Sequence, residues 1–281
     1  MISSLGVFGA GTMGSGIAQV FATKGLKVFL VDKDKKSLDK ANSKIQSSLD
    51  KLVTNGTINP VIADDGLKRI TFLNDYKLIP PETPLIIEAI YEDKRAKIDL
   101  FIELEKIFPK DTIFATNTSS ISITELAKNN RPEKFIGMHF MNPVPIMKLV
   151  EIIRGHLTSD DTFKHIYELT ERLDKVPVEV KDFPGFISNR LLIPMINEAV
   201  FALMEGVGSK EDIDKVMKSG MNHPMGPLML ADFIGLDVCL SIMEVLYDGF
   251  RDDKYRPCPL LRNMVNANKL GRKTGEGFYK Y

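Results

Sequence analysis

The chain has 281 residues, 44% of them hydrophobic and 26% charged, enough for one large or two modest domains and for a sizeable core. Lys+Arg and Asp+Glu both number 37, so the net charge is zero and nothing in the balance points to nucleic acid as a partner. Two cysteines are too few for a disulfide framework, the four histidines are scattered, and no apolar run reaches membrane-span length, so a soluble, reduced protein without metal or membrane partner is expected.

Residues 5–8 read as a short buried strand that starts almost at the N-terminus, which leaves no room for a signal peptide and points to the cytoplasm. The strand feeds Gly9-Ala10-Gly11-Thr12-Met13-Gly14, a Gly-x-Gly-x-x-Gly turn. A helical pattern through Ile17, Ala18, Val20 and Phe21 follows, broken at Gly25. A second strand, 26–31, ends at Asp32, about 20 residues beyond the turn. Gly9 permits the tight turn, Gly11 lets backbone approach a pyrophosphate, and Gly14 lets the helix pack closely on the strand. The helix start favours negative charge. Asp32 suits a ribose diol and repels a 2′-phosphate, so NAD is expected over NADP. Glycine turns alone are common in loops. The strand before this one and the acid after it single it out.

Residues 34–55 follow as a long helix, with Leu38, Ala41, Ile45 and Leu49 on one face and Lys36, Lys40, Lys44 and Lys51 on the other. Most of those lysines read as a solvated face. Residues 57–75 look irregular, apart from a small strand near Ile70. A buried strand at 85–90 leads into a charged helix at 94–108, stopped by Pro109. A short strand at 112–115 opens into the polar loop Thr116-Asn117-Thr118-Ser119-Ser120. Ligands bind at that edge of open α/β sheets, although helix capping alone would also account for these residues.

Strands at 135–140 and 148–153 flank the loop Met141-Asn142-Pro143-Val144-Pro145-Ile146. If they pair antiparallel about Pro145, His139 and Glu151, equidistant from it, become cross-strand neighbours. A carboxylate beside an imidazole favours its charged form and fixes its orientation, as a general base requires. A polar pair at a sheet edge is the plainer alternative. His156 and His165 lie in polar surroundings and receive no role.

A helix at 162–173 and a strand at 176–180 complete an alternating β/α region. The fold class is α/β: a Rossmann-type, doubly wound, mostly parallel sheet over residues 1–183, plus an all-helical domain over 184–281. The break Asp182-Phe183-Pro184-Gly185 separates them. Residues 186–205 form a helix whose wide apolar surface suggests burial from several sides, bent at Pro194. Further helices fall at 210–219, 228–250 and 259–269, interrupted by Gly/Pro joints at 223–227 and 233–236. Met217, Met221, Met225 and Met229 read as core or subunit interface. The glycine-rich tail, ending on aromatics, reads as an ordered loop docked on the body.

With these pieces in place, the chain resembles the L-3-hydroxyacyl-CoA dehydrogenase family over essentially its whole length, its bacterial 3-hydroxybutyryl-CoA branch in particular. The stretches that carry the resemblance are Gly9–Gly14, Asn117-Thr-Ser-Ser120, Gly137-Met-His-Phe-Met-Asn-Pro143, Pro184-Gly-Phe-Ile-Ser-Asn-Arg190, Asn222-His-Pro-Met-Gly-Pro227 and Gly271-Arg-Lys-Thr-Gly-Glu-Gly-Phe-Tyr279. The resemblance implies that His139 is the catalytic histidine, Glu151 the glutamate that orients it, and Ser119 and Asn189 the groups on the reacting oxygen. It implies NAD contacts at Glu92, Lys97, Asn117, Ser119, Asn142 and Lys273, beside the glycine loop and Asp32. It places CoA contacts on Ser48 and Lys51, where Thr54 and Asn55 replace lysines found in many relatives. It further implies a homodimer formed through the helical domain, and closure of the domains on acyl-CoA about a hinge near residues 183–185. Two rivals use the same scaffold: an NAD-dependent dehydrogenase of a free β-hydroxyacid such as L-gulonate, and a non-catalytic NAD-binding structural protein.

Overall fold

The computed structural model describes residues 2–281 as two compact units that divide between Asp182 and Phe183. In the first unit, β1 (Ser4–Phe8), α1 (Thr12–Thr23) and β2 (Lys27–Val31) form the opening strand–helix–strand, followed by the long helix α2 (Lys35–Thr54). Then come α3 (Pro60–Lys68), β3 (Ile70–Leu73), β4 (Leu85–Glu88), α4 (Lys94–Glu105), β5 (Ile113–Thr116), α5 (Ile123–Ala127) and β6 (Phe135–Phe140). β7 (Leu149–Arg154), α6 (Asp160–Arg172) and β8 (Val176–Lys181) close the unit.

The strands form one eight-stranded sheet in the order β3-β2-β1-β4-β5-β6-β7-β8. β1 to β6 run parallel, β7 turns back antiparallel to β6, and β8 lies parallel to β7 after its crossover through α6. Parallel strands covered on both faces are near-continuous apolar runs, and β4, β5 and β6 are buried at every position, with polar residues at or near their carboxyl ends. The order reverses between β1 and β4, where doubly wound sheets bind their ligands. The expected fold class is borne out.

One stretch departs from expectation. Residues 57–75 are not irregular, for α3 lies within them. Asn59 caps it by accepting from the Val61 N–H at 2.8 Å, and Pro60 opens the first turn. That pairing is a helix-start signal, but the helix is short and its apolar residues do not sort onto one face, Val61 and Ile62 being exposed, so apolar periodicity does not reveal it.

The second unit is helical: α7 (Ser188–Met204), α8 (Lys210–Gly220), α9 (Pro227–Ile234), α10 (Leu236–Phe250) and α11 (Pro259–Asn266). Ile193, Ile196, Val200, Leu228, Leu236 and Met243 centre its core. α9 and α10 part at Gly235, whose φ of 105° ends one helix and starts the next. The breadth of apolar surface on α7 does not translate into burial all round, since Leu191 is 68% exposed. Of the methionines, Met217, Met225 and Met229 are half-buried and Met221 is exposed, so none is core within the chain. The tail is ordered because the buried Asp232 carboxylate accepts from the backbone N–H groups of Phe278 and Tyr279 at 2.9 and 2.8 Å, and Phe278 is buried.

Candidate active site

The glycine turn sits at the carboxyl end of β1. Gly9 has φ 101°, closed to most side chains, and a Cβ on Gly14 would lie 1.8 Å from the Gly9 carbonyl oxygen. A Cβ on Gly11, in contrast, would meet no protein atom within 4 Å. Its backbone therefore faces open space at the start of α1, where unpaired N–H groups and the helix dipole favour a phosphate. Asp32 follows β2, and its two carboxylate oxygens accept from Ala10 N–H at 2.9 Å and Asp34 N–H at 3.0 Å. It thus ties the end of β2 to the glycine turn. Beside them runs a cleft of about 680 Å³, lined among others by Gly9, Gly11, Thr12, Met13, Asp32 and Tyr76. A wide cleft with a phosphate-favouring turn at one point and a carboxylate at its rim fits a dinucleotide.

At the end of β4 lies a charged cluster that composition and periodicity do not reveal. Lys97 on α4 is 1% exposed, and its ammonium bonds Glu88 at 2.5 Å and Glu92 at 3.2 Å. Glu88 is wholly buried and also accepts from Thr116 Oγ1 at 2.6 Å and Ile90 N–H at 2.7 Å. Burial pushes the Glu88 carboxyl up, against the pull of Lys97 and these donors. Burial also works on Glu92, but there Lys97 and the donors of Thr118 and Ser119 outweigh it and hold the carboxyl below its ordinary value. Lys97 does not line the dinucleotide cleft, although its helix neighbours Ala96 and Leu100 do. In the sequence the resemblance already names Glu92 and Lys97, and the remaining signal is an acid, Glu88, ending an apolar strand.

Glu92 organises the Ser119 loop. One of its oxygens accepts from Thr118 Oγ1 at 2.5 Å, from the Ser119 N–H at 2.8 Å, and from the Ser119 hydroxyl and Ser120 N–H at 3.2 Å. Asp182, the last residue of the first unit, takes up the next stretch. It accepts from Ser122 Oγ at 2.7 Å, Ile123 N–H at 3.0 Å and Thr124 N–H at 2.8 Å. Two carboxylates distant in sequence thus hold the loop and the start of α5 that follows it. Asn117, at its start, accepts from Phe140 N–H through its side-chain oxygen at 3.0 Å, which fixes the loop to the end of β6.

The register of β6 and β7 sets His139 directly opposite Glu151. Both are buried, and Nδ1 lies 2.8 Å from the Glu151 carboxylate. With Nδ1 as the donor, Nε2 is the proton-accepting nitrogen of the ring. Asn142 lies exposed just beyond His139.

A second cleft, about 510 Å³, opens between α2 and the loop after β6. Ser48 and Lys51 line it together with Lys44, facing Pro143, Pro145 and Ile146. Asn55 lines its end, and among the described residues that line it Lys44 and Lys51 are the cations. In the second unit, Asn189 occupies the first turn of α7, just after Phe186 in a left-handed conformation (φ 53°). Lys273 lies exposed in the tail and pairs with Asp237.

A sheet edge shaped for a dinucleotide, with a proton acceptor held beside it, is what a dehydrogenase of hydroxyl groups requires. Comparison with known families narrows the class. Residues 4–183 match the model of the 3-hydroxyacyl-CoA dehydrogenase NAD binding domain, and residues 185–281 match that of the 3-hydroxyacyl-CoA dehydrogenase C-terminal domain. The chain belongs to the 3-hydroxyacyl-CoA dehydrogenase family of oxidoreductases, as its motifs imply. It is 55% identical to a probable 3-hydroxybutyryl-CoA dehydrogenase of Deinococcus radiodurans, over 98% of this chain and 99% of that one. It is 52% identical to a 3-hydroxybutyryl-CoA dehydrogenase of Clostridioides difficile, over 99% of each. The crystal structure of an (S)-3-hydroxybutyryl-CoA dehydrogenase from Ralstonia eutropha superposes with a TM-score of 0.97 at 48% identity, covering 100% of this chain and 99% of the other.

Proposed function

We propose that the protein interconverts (S)-3-hydroxyacyl-CoA and 3-oxoacyl-CoA thioesters with NAD, 3-hydroxybutyryl-CoA foremost. The observation that carries this reading is the buried His139–Glu151 pair at the sheet edge that also bears the glycine turn and the Ser119 loop. In the oxidative direction His139 takes the proton of the substrate's 3-hydroxyl on Nε2, and Glu151 steadies the imidazolium that results. Ser119 and Asn189 donate hydrogen bonds to that oxygen while it carries negative charge. The nicotinamide, when bound, supplies the hydride acceptor.

The glycine turn holds the pyrophosphate and Asp32 the ribose, which selects NAD over NADP. Glu92, Asn117, Ser119, Asn142 and Lys273 take up the rest of the cofactor, and Lys97 acts by holding Glu92. Ser48 and Lys51 meet the nucleotide end of CoA in the cleft beneath α2. The second unit carries a two-fold dimer contact, a reading supported by the exposed Val207, Val216, Met221 and Phe233. Cytoplasmic residence is supported by Cys239 and Cys258, both buried free thiols. Among the described residues no helix is long and apolar enough to cross a membrane.

The deciding assay follows NADH consumption with acetoacetyl-CoA and with free acetoacetate, and NADH formation from L-gulonate plus NAD, and repeats the first with NADPH. The thioester with NADH is expected to lead by orders of magnitude in kcat/KM. Equal or better rates with a free acid would replace the acyl-CoA reading with that of a free β-hydroxyacid dehydrogenase.

A further inference from the structure

Lys175, just ahead of β8, is a charged residue that the chemistry above does not use, and it is 7% exposed. Its ammonium donates to the carbonyl oxygens of Val144 and Met147 at 2.5 and 2.6 Å. Both carbonyls belong to the loop that joins the His139 strand to the Glu151 strand. The loop is braced in two further ways. The N–H groups of Ile146 and Met147 both donate to the Pro143 carbonyl at 3.0 Å. Val144 packs on α1 so closely that a Cβ on Gly16 would come within 2.9 Å of it. The outer face of this loop, Pro143, Pro145 and Ile146, is the wall of the second cleft opposite Ser48 and Lys51.

We propose that Lys175 is a positioning residue for the acyl-CoA substrate: by clamping Val144 and Met147 it sets the loop wall of the cleft that receives the nucleotide end of CoA. This rests on the acyl-CoA reading above. The α2 wall is built by helix packing and does not depend on the clamp. Loss of Lys175 strips a donor from the Val144 and Met147 carbonyls, beyond Asn142, and frees one wall only, so it loosens the grip on CoA while the cleft beside the glycine turn, which no residue of 143–147 lines, keeps its walls.

The charge of the clamp is held against its surroundings. Burial pushes the Lys175 ammonium down to about 8, and the neighbouring charges of Lys148 and Lys24 add to the effect. Asp174 stands on the same side but is paired with Lys24, and its carbonyl accepts from Lys148. Charge-assisted hydrogen bonds are roughly twice as strong as neutral ones, so the clamp weakens once the pH passes about 8.

The test measures KM in the oxidative direction, because 3-oxo thioesters themselves enolise in alkali. The substrates are 3-hydroxybutyryl-CoA and 3-hydroxybutyryl-N-acetylcysteamine, which lacks the nucleotide. In the wild-type enzyme, KM for the CoA thioester should rise by about threefold or more between about pH 7 and about pH 9.5, with KM for NAD and for the short thioester flat. Lys175→Met should raise KM for the CoA thioester about tenfold at neutral pH, leave kcat within about threefold, and abolish the alkaline rise. Lys175→Arg, which stays charged, should keep KM low to higher pH. Circular dichroism checks the fold of each variant, and if neither folds the wild-type profile decides. A wild-type KM that is flat with pH, or a Lys175→Met defect shared equally by the short thioester or by NAD, overturns the proposal. Equal handling of the two thioesters by the wild-type enzyme instead overturns the CoA reading beneath it.

Discussion

His139 and Glu151 face each other across the β6–β7 pair, with Nδ1 and the carboxylate 2.8 Å apart and both side chains buried. The carboxylate thereby sets which ring nitrogen accepts the proton. His139→Asn should lower kcat by roughly 10²–10⁴-fold while NADH binding, followed by fluorescence titration, stays unchanged. Glu151→Gln keeps a hydrogen-bonding group but no charge, and should cost less. A His139→Asn enzyme with near-normal turnover would remove His139 from the chemistry.

Asp32 holds the backbone at Ala10 and Asp34 through its two oxygens, beside the ribose contact proposed for it. Asp32→Ser removes the carboxylate that repels a 2′-phosphate and loosens the turn. The expected outcome is a weaker kcat/KM with NADH and a shift of about tenfold or more in the NADH/NADPH ratio towards NADPH. An unchanged ratio would mean that another residue selects the cofactor.

The Glu88–Lys97 pair lies entirely in the interior. Breaking one side leaves an uncompensated buried charge, so Lys97→Met should cost about 3–5 kcal/mol in urea unfolding. Adding Glu88→Gln removes that charge, and the double variant should be more stable than Lys97→Met alone. A double variant no better than the single one would show that Glu88 does not need its partner.

Glu92 brings a pH dependence of definite sign. Its folded-state carboxyl titrates below the ordinary 4.5, so the stability it contributes is complete above that value and is lost as the pH falls through the lowered one. Glu88 runs the other way, its raised carboxyl costing stability where it is charged. Glu92→Gln should therefore lower the urea midpoint at neutral pH, with the gap to wild type closing below about pH 4.5. A gap constant down to about pH 3 would contradict the ion pairing of Glu92 with Lys97.

The exposed apolar residues of the second unit, Val207 at 75% and Met221 at 62% among them, call for a cover. Light scattering at micromolar concentration should give twice the chain mass, as for a two-fold dimer. A monomer mass would refute it.

Read by itself, the sequence determined what depends on neighbours in the chain. The glycine turn and Asp32 are legible because tight turns demand glycine and strands end where apolar runs end. The β6–β7 register is the one that pairing about Pro145 would give, with Glu151 opposite His139, although a two-proline loop does not by itself fix that centre. The helix α3 escaped because its start rests on Asn59 and Pro60 alone, with little apolar rhythm behind them. Only the tertiary structure decided which charged residues are interior. Lys97 and Lys175 look, by composition and periodicity, like ordinary surface charges, since lysines are seldom buried, yet both are interior. Their partners lie on other strands and loops, and the cost of burying a charge is met only where folding brings those partners within hydrogen-bond reach.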